Sequence, residues 1–366
     1  MSRKEPPSDK IERGADNESI EFHRNADLIT ELGDGIQAFV GLIAGLFSLQ
    51  DTIILIDEPE AFLADPIARR LGFELTKIAE ERKAALIIAT HRADFIMGCL
   101  EASNDLKIIR LTYLDQKATA REIETNVIRE FNTNPCLRSS AAIKGLFHKG
   151  VIVAEAHGDR VFYDEVNRRL INISKGIKDV LFIDSGGGID QIFKTISPLR
   201  QMGVPTAAIV DMDFIKKGNK KKKDNNNEDS RWDQLVAACQ ISANDLSFLK
   251  EMRERGIQIF DKIKKNNEPC PYVHGGINNI SDETEKDDVK NLIDTLSNYG
   301  LFVVPTGALE SWIPGLKKGP EWHNGWLKNV GDPAVDSFNS WWGLNKWSFM
   351  HKIAEWINDP NRKGVG

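Results

Sequence analysis

The sequence predicts an α/β fold in which short parallel strands alternate with helices. Short runs rich in valine and isoleucine, such as residues 151–154 and 206–210, are typical of buried parallel strands. Both runs end abruptly in carboxylates. Open α/β sheets bind their ligands just beyond the carboxyl ends of their strands, so these two ends also indicate a functional site.

Length and composition limit the classes of protein that the chain can belong to. Its 366 residues predict two or three domains, and a net charge of −6 confines any nucleic-acid surface to a local patch. The longest apolar stretch, residues 36–49, is too short to span a bilayer, so we expect a cytoplasmic protein with no membrane partner. Four scattered cysteines without a Cys-x-x-Cys pair argue against a zinc site or a disulfide framework: Cys99, Cys136, Cys239 and Cys270.

The first third of the chain divides into two predicted segments. Residues 1–25 are charged and contain proline, so we expect them to be mobile. Residues 26–120 alternate between helical and strand patterns, and a helix follows Pro66, which suits a first helical turn. The other predicted elements of this segment are a helix over 35–48 and strands over 52–56, 85–89 and 106–111.

Three further segments complete the predicted organisation. Residues 121–149 are expected to form a helical connector, and residues 150–318 a second α/β domain. Residues 319–366 are rich in tryptophan and are expected to be helical. The predicted strands of the second domain cover 151–154, 180–183, 206–210 and 302–305.

Acidic residues follow two of these strands. Glu155 and Asp159 come after the first strand of the second domain, and Asp211 and Asp213 come after its third. A single aspartate after a strand is usually a turn residue or a helix cap. Four carboxylates at one sheet edge repel one another unless a cation lies among them, and Mg²⁺ or Mn²⁺ prefers such oxygen ligands. The pattern therefore predicts a divalent-metal site.

The first domain carries the pattern of a nucleotide hydrolase. An apolar strand ends in Asp57 and Glu58, an arrangement in which the aspartate holds Mg²⁺ and the glutamate polarises the attacking water. A second apolar strand ends at His91, which can contact a γ-phosphate. A glycine-rich turn opens a helix upstream, where backbone N–H groups favour an anion. Its candidate residues are Gly33, Gly35 and Gln37.

One part of that pattern is missing from the sequence. No Gly-x-x-x-x-Gly-Lys-Ser/Thr motif, whose backbone cradles nucleotide phosphates, occurs in the chain. Three interpretations stay open: a separate polypeptide supplies the P-loop lobe, the chain is a truncated copy, or the domain is a non-hydrolysing scaffold. The intact Asp57, Glu58 and His91 favour a P-loop-bearing partner chain, and we expect ATP to bind only with such a partner or lobe.

These motifs together resemble a known family. Glu155 with the later Asp211 and Asp213 resembles the Toprim domain of topoisomerases, primases and related nucleases. The order of glycine turn, Asp-Glu strand and Thr-His strand resembles an ABC-type ATPase head. A head of this type followed by Toprim is similar to the OLD (overcoming lysogenization defect) family of nucleases. The resemblance covers roughly residues 26–318 and implies a partial ABC-type lobe followed by a Rossmann-like Toprim domain.

The resemblance implies a function and further site residues. It implies a DNA endonuclease that uses two metals, Mg²⁺ or Mn²⁺, and acts in defence against phage. We also expect a homo-oligomer that forms through the ATPase-like or C-terminal region. Asp159 would lie near the second metal, and Glu310 would be a further metal carboxylate. A catalytic lysine of the family would correspond to Lys317 or Lys318.

Two segments are candidates for nucleic-acid contact. Gly186 and Gly187 follow a predicted strand, where glycine lets a phosphate backbone approach, although a plain strand-to-helix turn explains them equally well. A lysine run in a low-complexity loop could contact the phosphate backbone, but a solvated loop is slightly favoured. This run comprises Lys220, Lys221, Lys222 and Lys223.

Two other functions remain open from the sequence. Toprim chemistry can also act on RNA, so a ribonuclease that cuts tRNA or other RNA is the first alternative, with DNA favoured. An ATPase-like scaffold with a vestigial Toprim fold is the second. The intact carboxylates argue against the scaffold.

Overall fold

The fold is that of a computed structural model. It describes residues 5–48, 53–114, 116–134, 137, 141–216, 230–265, 272–313, 322–333, 342 and 345–365. The chain divides into two compact units, Met1–Leu106 and Lys107–Gly366. Each unit contains a parallel sheet with helices, which confirms the predicted α/β class.

The first unit contains two strands and five helices within the part of the chain that is described. Strands β1 and β2 cover Ile53–Asp57 and Ala85–Ala89. The helices are α1 Asp9–Arg13, α2 Asn17–Arg24, α3 Asp34–Ser48, α4 Asp65–Arg82 and α5 Ala93–Ala102. The predicted elements between residues 35 and 89 are confirmed. Helices α1 and α2 lie in the opening segment, where the sequence predicted no regular structure.

The small sheet of the first unit is covered on one face. β1 and β2 pair in parallel, with Asp57 opposite Ala89. Ile54 points into a core that includes Leu71 and Phe95. The opposite face carries apolar side chains that are largely exposed: Ile53 at 64%, Leu55 at 73% and Ile87 at 59%. Parallel sheets in proteins are normally covered on both faces, so this bare apolar face is unusual.

The second unit begins with an antiparallel hairpin that the sequence did not predict. β3 (Ile108–Leu114) pairs with β4 (Lys117–Ile123), so the predicted strand over 106–111 is only half of this hairpin. The expected helical connector over 121–149 was wrong at its start, because β4 extends through Ile123. Helix α6 (Thr125–Thr133) and a 3-10 segment (Ala141–Phe147) follow.

Two arginines explain why this hairpin folds against the rest of its unit. Arg110 donates to the carbonyl oxygens of Leu146 at 3.0 Å, Gly203 at 2.9 Å and His148 at 3.2 Å. Arg121 passes over Gly203, whose φ of 73° and lack of a Cβ leave room for the guanidinium stem. These contacts are long-range, so local propensity carries no signal of them.

A four-stranded parallel sheet forms the centre of the second unit. Its strand order is β6-β5-β7-β8. The strands are β5 Gly150–Ala154, β6 Val180–Asp184, β7 Thr206–Val210 and β8 Leu301–Val303. All four predicted strands of this domain are confirmed. β5, β7 and β8 are buried throughout, as expected for strands that read as continuous apolar runs.

Helices surround this sheet and complete the core of the second unit. They are α7 His157–Asn172, α8 Ile189–Gln201, α9 Ser230–Cys239, α10 Ala243–Lys265, α11 Glu283–Asn298, α12 Trp322–Asn329 and α13 Lys346–Asn358. The tryptophan-rich segment is part of this core. Trp347 and Trp356 are buried with Phe302 of β8, and Trp326 packs edge-to-face on Phe162.

No single helix among the described residues is long and apolar enough to cross a membrane. One bent pair, Asn17–Glu31 with Asp34–Ser48, reaches the necessary length and composition only when its two parts are joined.

Arg200 is a buried cation that ties three segments of the second unit together. Its guanidinium donates to the carbonyls of Thr206 at 2.7 Å and 2.9 Å, Gly364 at 3.0 Å and Gly300 at 3.3 Å. Its planar group also lies over the ring of Trp356. Burial lowers the pKa of Arg200, and hydrogen bonds to carbonyl oxygens offset part of that desolvation.

We predict that Arg200→Met destabilises the second unit by about 3 kcal/mol or more, because several buried carbonyls lose their donors. Urea unfolding followed by tryptophan fluorescence measures this unit specifically, since all eight tryptophans lie at residue 232 or beyond. Arg168→Met is the control, because its ion pair with Glu165 leaves the Arg168 side chain 65% exposed and should cost less than about 1 kcal/mol. Equal losses in the two variants would contradict the role of Arg200.

Candidate functional site

The strand ends of the second unit bring the predicted carboxylates to one edge of the sheet. Glu155 follows β5, and Asp211 follows β7 directly. Asp213 lies in the 3-10 turn Met212–Ile215. Glu310 lies in a second 3-10 turn, Leu309–Trp312, after β8. Because all four strands are parallel, these ends share the same edge of the sheet.

Electrostatics indicate that these side chains form one cluster. Burial, together with repulsion from neighbouring carboxylates, raises the pKa of Asp211 to about 8. In order of their effect, the neighbours are Asp159, Glu155, Glu310 and Asp213. Asp211 therefore lies at the centre of the predicted acidic site, and we call these five residues the acidic cluster.

Asp159 also has a structural role. Its Oδ2 accepts a hydrogen bond from the Ala156 N–H at 3.1 Å and so closes the first turn of α7. Asp159 is buried, with 9% of its surface exposed. This hydrogen bond holds the Asp159 carboxylate near Glu155. Asp159 is therefore both a helix-capping residue and a candidate site residue.

A backbone contact holds the Asp211–Asp213 segment in place. The Met212 N–H donates to the Gly307 carbonyl at 2.7 Å, which joins the turn after β7 to the loop after β8. Gly307 has a φ of 113°, and a Cβ there would meet the Val273 carbonyl at 2.7 Å. Glycine at 307 is therefore required for the loop that carries Glu310 to reach the cluster.

Tyr163 lies beside the acidic cluster and was not predicted as a site residue. It is fully buried, and its hydroxyl accepts a hydrogen bond from the Trp312 indole at 3.0 Å. Burial raises its pKa well above the usual value, and Asp159, Asp211 and Glu310 raise it further. Its position inside the core and its bond from Trp312 suit a structural role. In the sequence, Tyr163 lies on the apolar face of α7, and this pattern predicts a core residue and not a site residue.

The glycine-rich loop after β6 lies next to Glu155. The Ser185 hydroxyl donates to the carbonyls of Glu155 and Gly188, both at 2.9 Å. A Cβ on Gly188 would lie 3.7 Å from Glu155 Oε1. Gly186 is exposed with open space around it, whereas a Cβ on Gly187 would meet Gln191 at 2.5 Å. Gly188 therefore borders the acidic cluster, and the candidate contact residues Gly186 and Gly187 precede it in the same exposed loop.

The ligand chemistry of the acidic cluster suits a hard cation, but the positions of its side chains do not form a metal-binding geometry. Its donors are all carboxylates, and their mutual repulsion is what a divalent ion would relieve. Among the residues that the structure describes, no three His, Cys, Asp or Glu side chains are placed so that they could hold a metal ion. A bound ion would therefore have to draw these side chains closer together.

Six predicted site residues lie outside the described part of the chain. They are Lys220, Lys221, Lys222, Lys223, Lys317 and Lys318. Their assignments as nucleic-acid contacts and as a catalytic lysine stay predictions from the sequence.

The first unit brings together two of the predicted ATPase-like residues. His91 Nδ1 lies 3.1 Å from Glu58 Oε1, and the Glu58 N–H donates to the Ala89 carbonyl at 3.0 Å. Glu58 has a φ of 45°, an uncommon left-handed conformation for a residue other than glycine. Asp57, at the end of β1, is exposed.

The glycine turn before α3 contacts the loop that follows Glu58. A Cβ on Gly35 would lie 2.6 Å from the Phe62 carbonyl, so the close approach requires glycine there. Gln37 Nε2 donates to the Leu32 carbonyl at 2.7 Å, which gives Gln37 a local role at the start of the helix. Gly33 has open space around it.

Glu60 is a buried carboxylate of this unit that sequence reasoning missed. It has no exposed surface and accepts a hydrogen bond from the Thr90 hydroxyl, while its Oε2 has no hydrogen-bond partner among the described residues. Glu60 follows Asp57-Glu58-Pro59 directly, so its position beside the predicted ATPase-like residues could be read from the sequence. Nothing local indicated that it would be buried.

Comparison with known proteins gives one family match. Residues 8–97 match a family described as "AAA domain, putative AbiEii toxin, Type IV TA system". This part of the chain is therefore an AAA-type ATPase-like region. No curated protein matches the chain.

One solved structure has a partial likeness. It is described as "Structural biochemistry of ATP-driven dimerization and DNA stimulated activation of SMC ATPases". It is 19% identical, with a TM-score of 0.23, and the match covers 27% of this chain. The match spans 58% of the length of that structure.

We predict that Asp211→Asn removes a pH dependence of stability in the metal-free protein. Folding raises the pKa of Asp211 from near 3.8 to about 8. The contribution of protonated Asp211 to the free energy of unfolding is therefore complete below pH 3.8 and is lost as the pH rises through about 8. In EDTA, the stability of the variant relative to the parent should rise by more than about 1 kcal/mol between about pH 5 and about pH 9.

Thermal unfolding at both pH values measures this difference. Asp261→Asn is the control, because it removes an exposed carboxylate from α10. If Asp211→Asn gives the same change at both pH values, the repulsion within the acidic cluster has been overestimated.

Proposed function

We propose that the chain is a metal-dependent endonuclease of OLD type, in which a Toprim-like second unit cuts DNA phosphodiesters. The observation that carries the proposal is the acidic cluster at the carboxyl edge of the four-stranded sheet, with Asp211 at its centre. A bare cluster of this kind is electrostatically costly, and nothing in core packing requires it. Metal-assisted phosphoryl chemistry gives it a use.

The residues of the cluster have separable tasks in this proposal. Glu155, Asp211, Asp213 and Glu310 would hold divalent ions, and Asp159 would hold an ion while capping α7. Bound Mg²⁺ or Mn²⁺ would activate water and neutralise the charge on the phosphate. The sheet and the Met212–Gly307 contact hold the carboxylates in position.

The ATPase-like first unit would regulate this nuclease rather than hydrolyse ATP alone. Its Glu58–His91 pair resembles the water-polarising and phosphate-sensing parts of a nucleotide site, but the sequence contains no P-loop. The exposed apolar face of β1 and β2 suits a covering lobe or partner that supplies one. Oligomerisation through this unit or the C-terminal region is a further part of the proposal. A role in anti-phage defence is another, and it rests on resemblance.

The decisive experiment is metal-dependent cutting. We predict that the purified chain nicks plasmid DNA with Mg²⁺ or Mn²⁺ and is inactive in EDTA. Asp211→Ala should abolish nicking without loss of folding, because it removes a ligand and also relieves repulsion. Gel assays on plasmid, single-stranded DNA, tRNA and rRNA measure the activity.

The controls separate the alternatives. Asp261→Ala, outside the cluster, should keep full activity. Cutting of RNA alone would favour the ribonuclease alternative, since the same carboxylates serve either backbone. Full activity of Asp211→Ala would remove the acidic cluster from the chemistry, and inactivity on every substrate would favour the scaffold.

We also predict that the isolated chain binds ATP weakly. The backbone and lysine of a P-loop supply most phosphate contacts, and this sequence lacks both. Isothermal calorimetry with MgATP should give no dissociation constant below about 1 mM. Micromolar binding would mean that the first unit forms a complete nucleotide site by another route.

A further inference from the structure

An arginine–histidine pair lies next to the acidic cluster at the same edge of the sheet. His157 and Arg160 lie in the first turn of α7, and Asp184 ends the neighbouring strand β6. Arg160 Nε lies 3.4 Å from Asp184 Oδ2, and His157 Nδ1 lies 3.6 Å from the same oxygen. Arg160 Nη2 is 3.4 Å from His157 Nδ1. The three side chains therefore form one contact group.

The contacts of Arg160 fix its orientation and leave donors for a ligand. Asp184 binds it through Nε, and Asp164, one turn along α7, also interacts with its charge. A guanidinium has five N–H donors, of which the contacts to Asp184 and His157 use two. The Arg160 side chain is 27% exposed and that of His157 is 66% exposed, so solvent reaches both groups.

The surface beside this pair has room for a phosphate backbone. Gly186 and Gly187, two and three residues after Asp184, are exposed, and no atom lies within 4 Å of a Cβ built on Gly186. Gly188 of the same loop borders Glu155. A backbone that lies on this loop would therefore reach the arginine–histidine pair and the acidic cluster together.

Charge explains why such a site is needed. Five carboxylates repel an approaching nucleic acid, and bound ions offset this only at the reacting phosphate. A fixed guanidinium is well suited to hold a neighbouring phosphate, because its planar N–H groups match phosphate oxygens and its charge does not titrate.

We infer that Arg160 and His157, oriented by Asp184, form a binding subsite for a backbone phosphate of DNA next to the one that is cut. The inference rests on the proposed nuclease function and assigns residues outside the acidic cluster. Arg160 supplies the charge and paired donors, and Asp184 is a positioning residue.

The test compares salt dependence of binding in an Asp211→Asn background, which should not cut. Fluorescence anisotropy with a duplex DNA in Mg²⁺ gives the slope of log affinity against log salt concentration. Arg160→Gln should lower that slope by about 0.9, the value for one lost phosphate contact. Arg160→Lys should keep the slope, because it keeps the charge.

Arg168→Gln is the matched control. It removes the same charge from the same helix, two turns away, where Arg168 pairs with Glu165. Its slope should equal that of the parent. Circular dichroism and thermal unfolding of each variant check that the fold is kept.

Kinetics in the cutting-competent chain provide a second readout. Arg160→Gln should raise KM roughly 10-fold, as expected for a lost charge-assisted hydrogen bond, with a much smaller change in kcat. Asp184→Asn should raise KM in the same direction, because it frees the Arg160 side chain.

The outcomes separate this subsite from the proposed function. If the Asp211→Asn chain binds DNA and Arg160→Gln has the slope of Arg168→Gln, the subsite is overturned while the nuclease proposal stands. If the parent binds DNA without cutting it, the nuclease proposal fails and the slope still decides the subsite. A parent that neither binds nor cuts overturns both.

Discussion

Repulsion among carboxylates at one edge of a parallel sheet is the constraint on which the second unit depends. Four parallel strands must end at the same edge, and here the segments beyond three of them carry acidic residues. The rise in the pKa of Asp211 is the electrostatic consequence. Such repulsion lowers stability, so the surrounding fold must hold the strand ends together firmly.

Several features of the second unit provide that support. β5, β7 and β8 are buried along their whole length, and Arg200 connects segments that are far apart in sequence. The tryptophans near the carboxyl end pack onto the same sheet rather than forming a separate element. A rigid core of this kind lets the loops above it keep an unfavourable charge arrangement, which is the usual condition for a functional site.

The first unit has the opposite character. Its two-stranded sheet has one well-packed face and one exposed apolar face, and its Glu58–His91 pair is exposed to solvent. The exposed apolar face of this ATPase-like region leaves room for a covering element. In the proposed function, that element supplies the P-loop and lets nucleotide regulate the nuclease.

The sequence alone determined the parallel strands, the α/β class and the grouping of the acidic residues. Continuous apolar runs identify buried parallel strands, and parallel strands fix which ends are neighbours, so the amino-acid pattern is enough to group Glu155, Asp211 and Asp213. Glu58 and His91 were grouped by the order of their motifs, which resembles that of an ABC-type ATPase head. Only the tertiary structure showed the hairpin β3–β4, the buried Glu60 and the Asp184–Arg160–His157 contacts. These depend on pairings between distant segments, such as Arg110 with the Gly203 carbonyl, which leave no periodic signal in the chain.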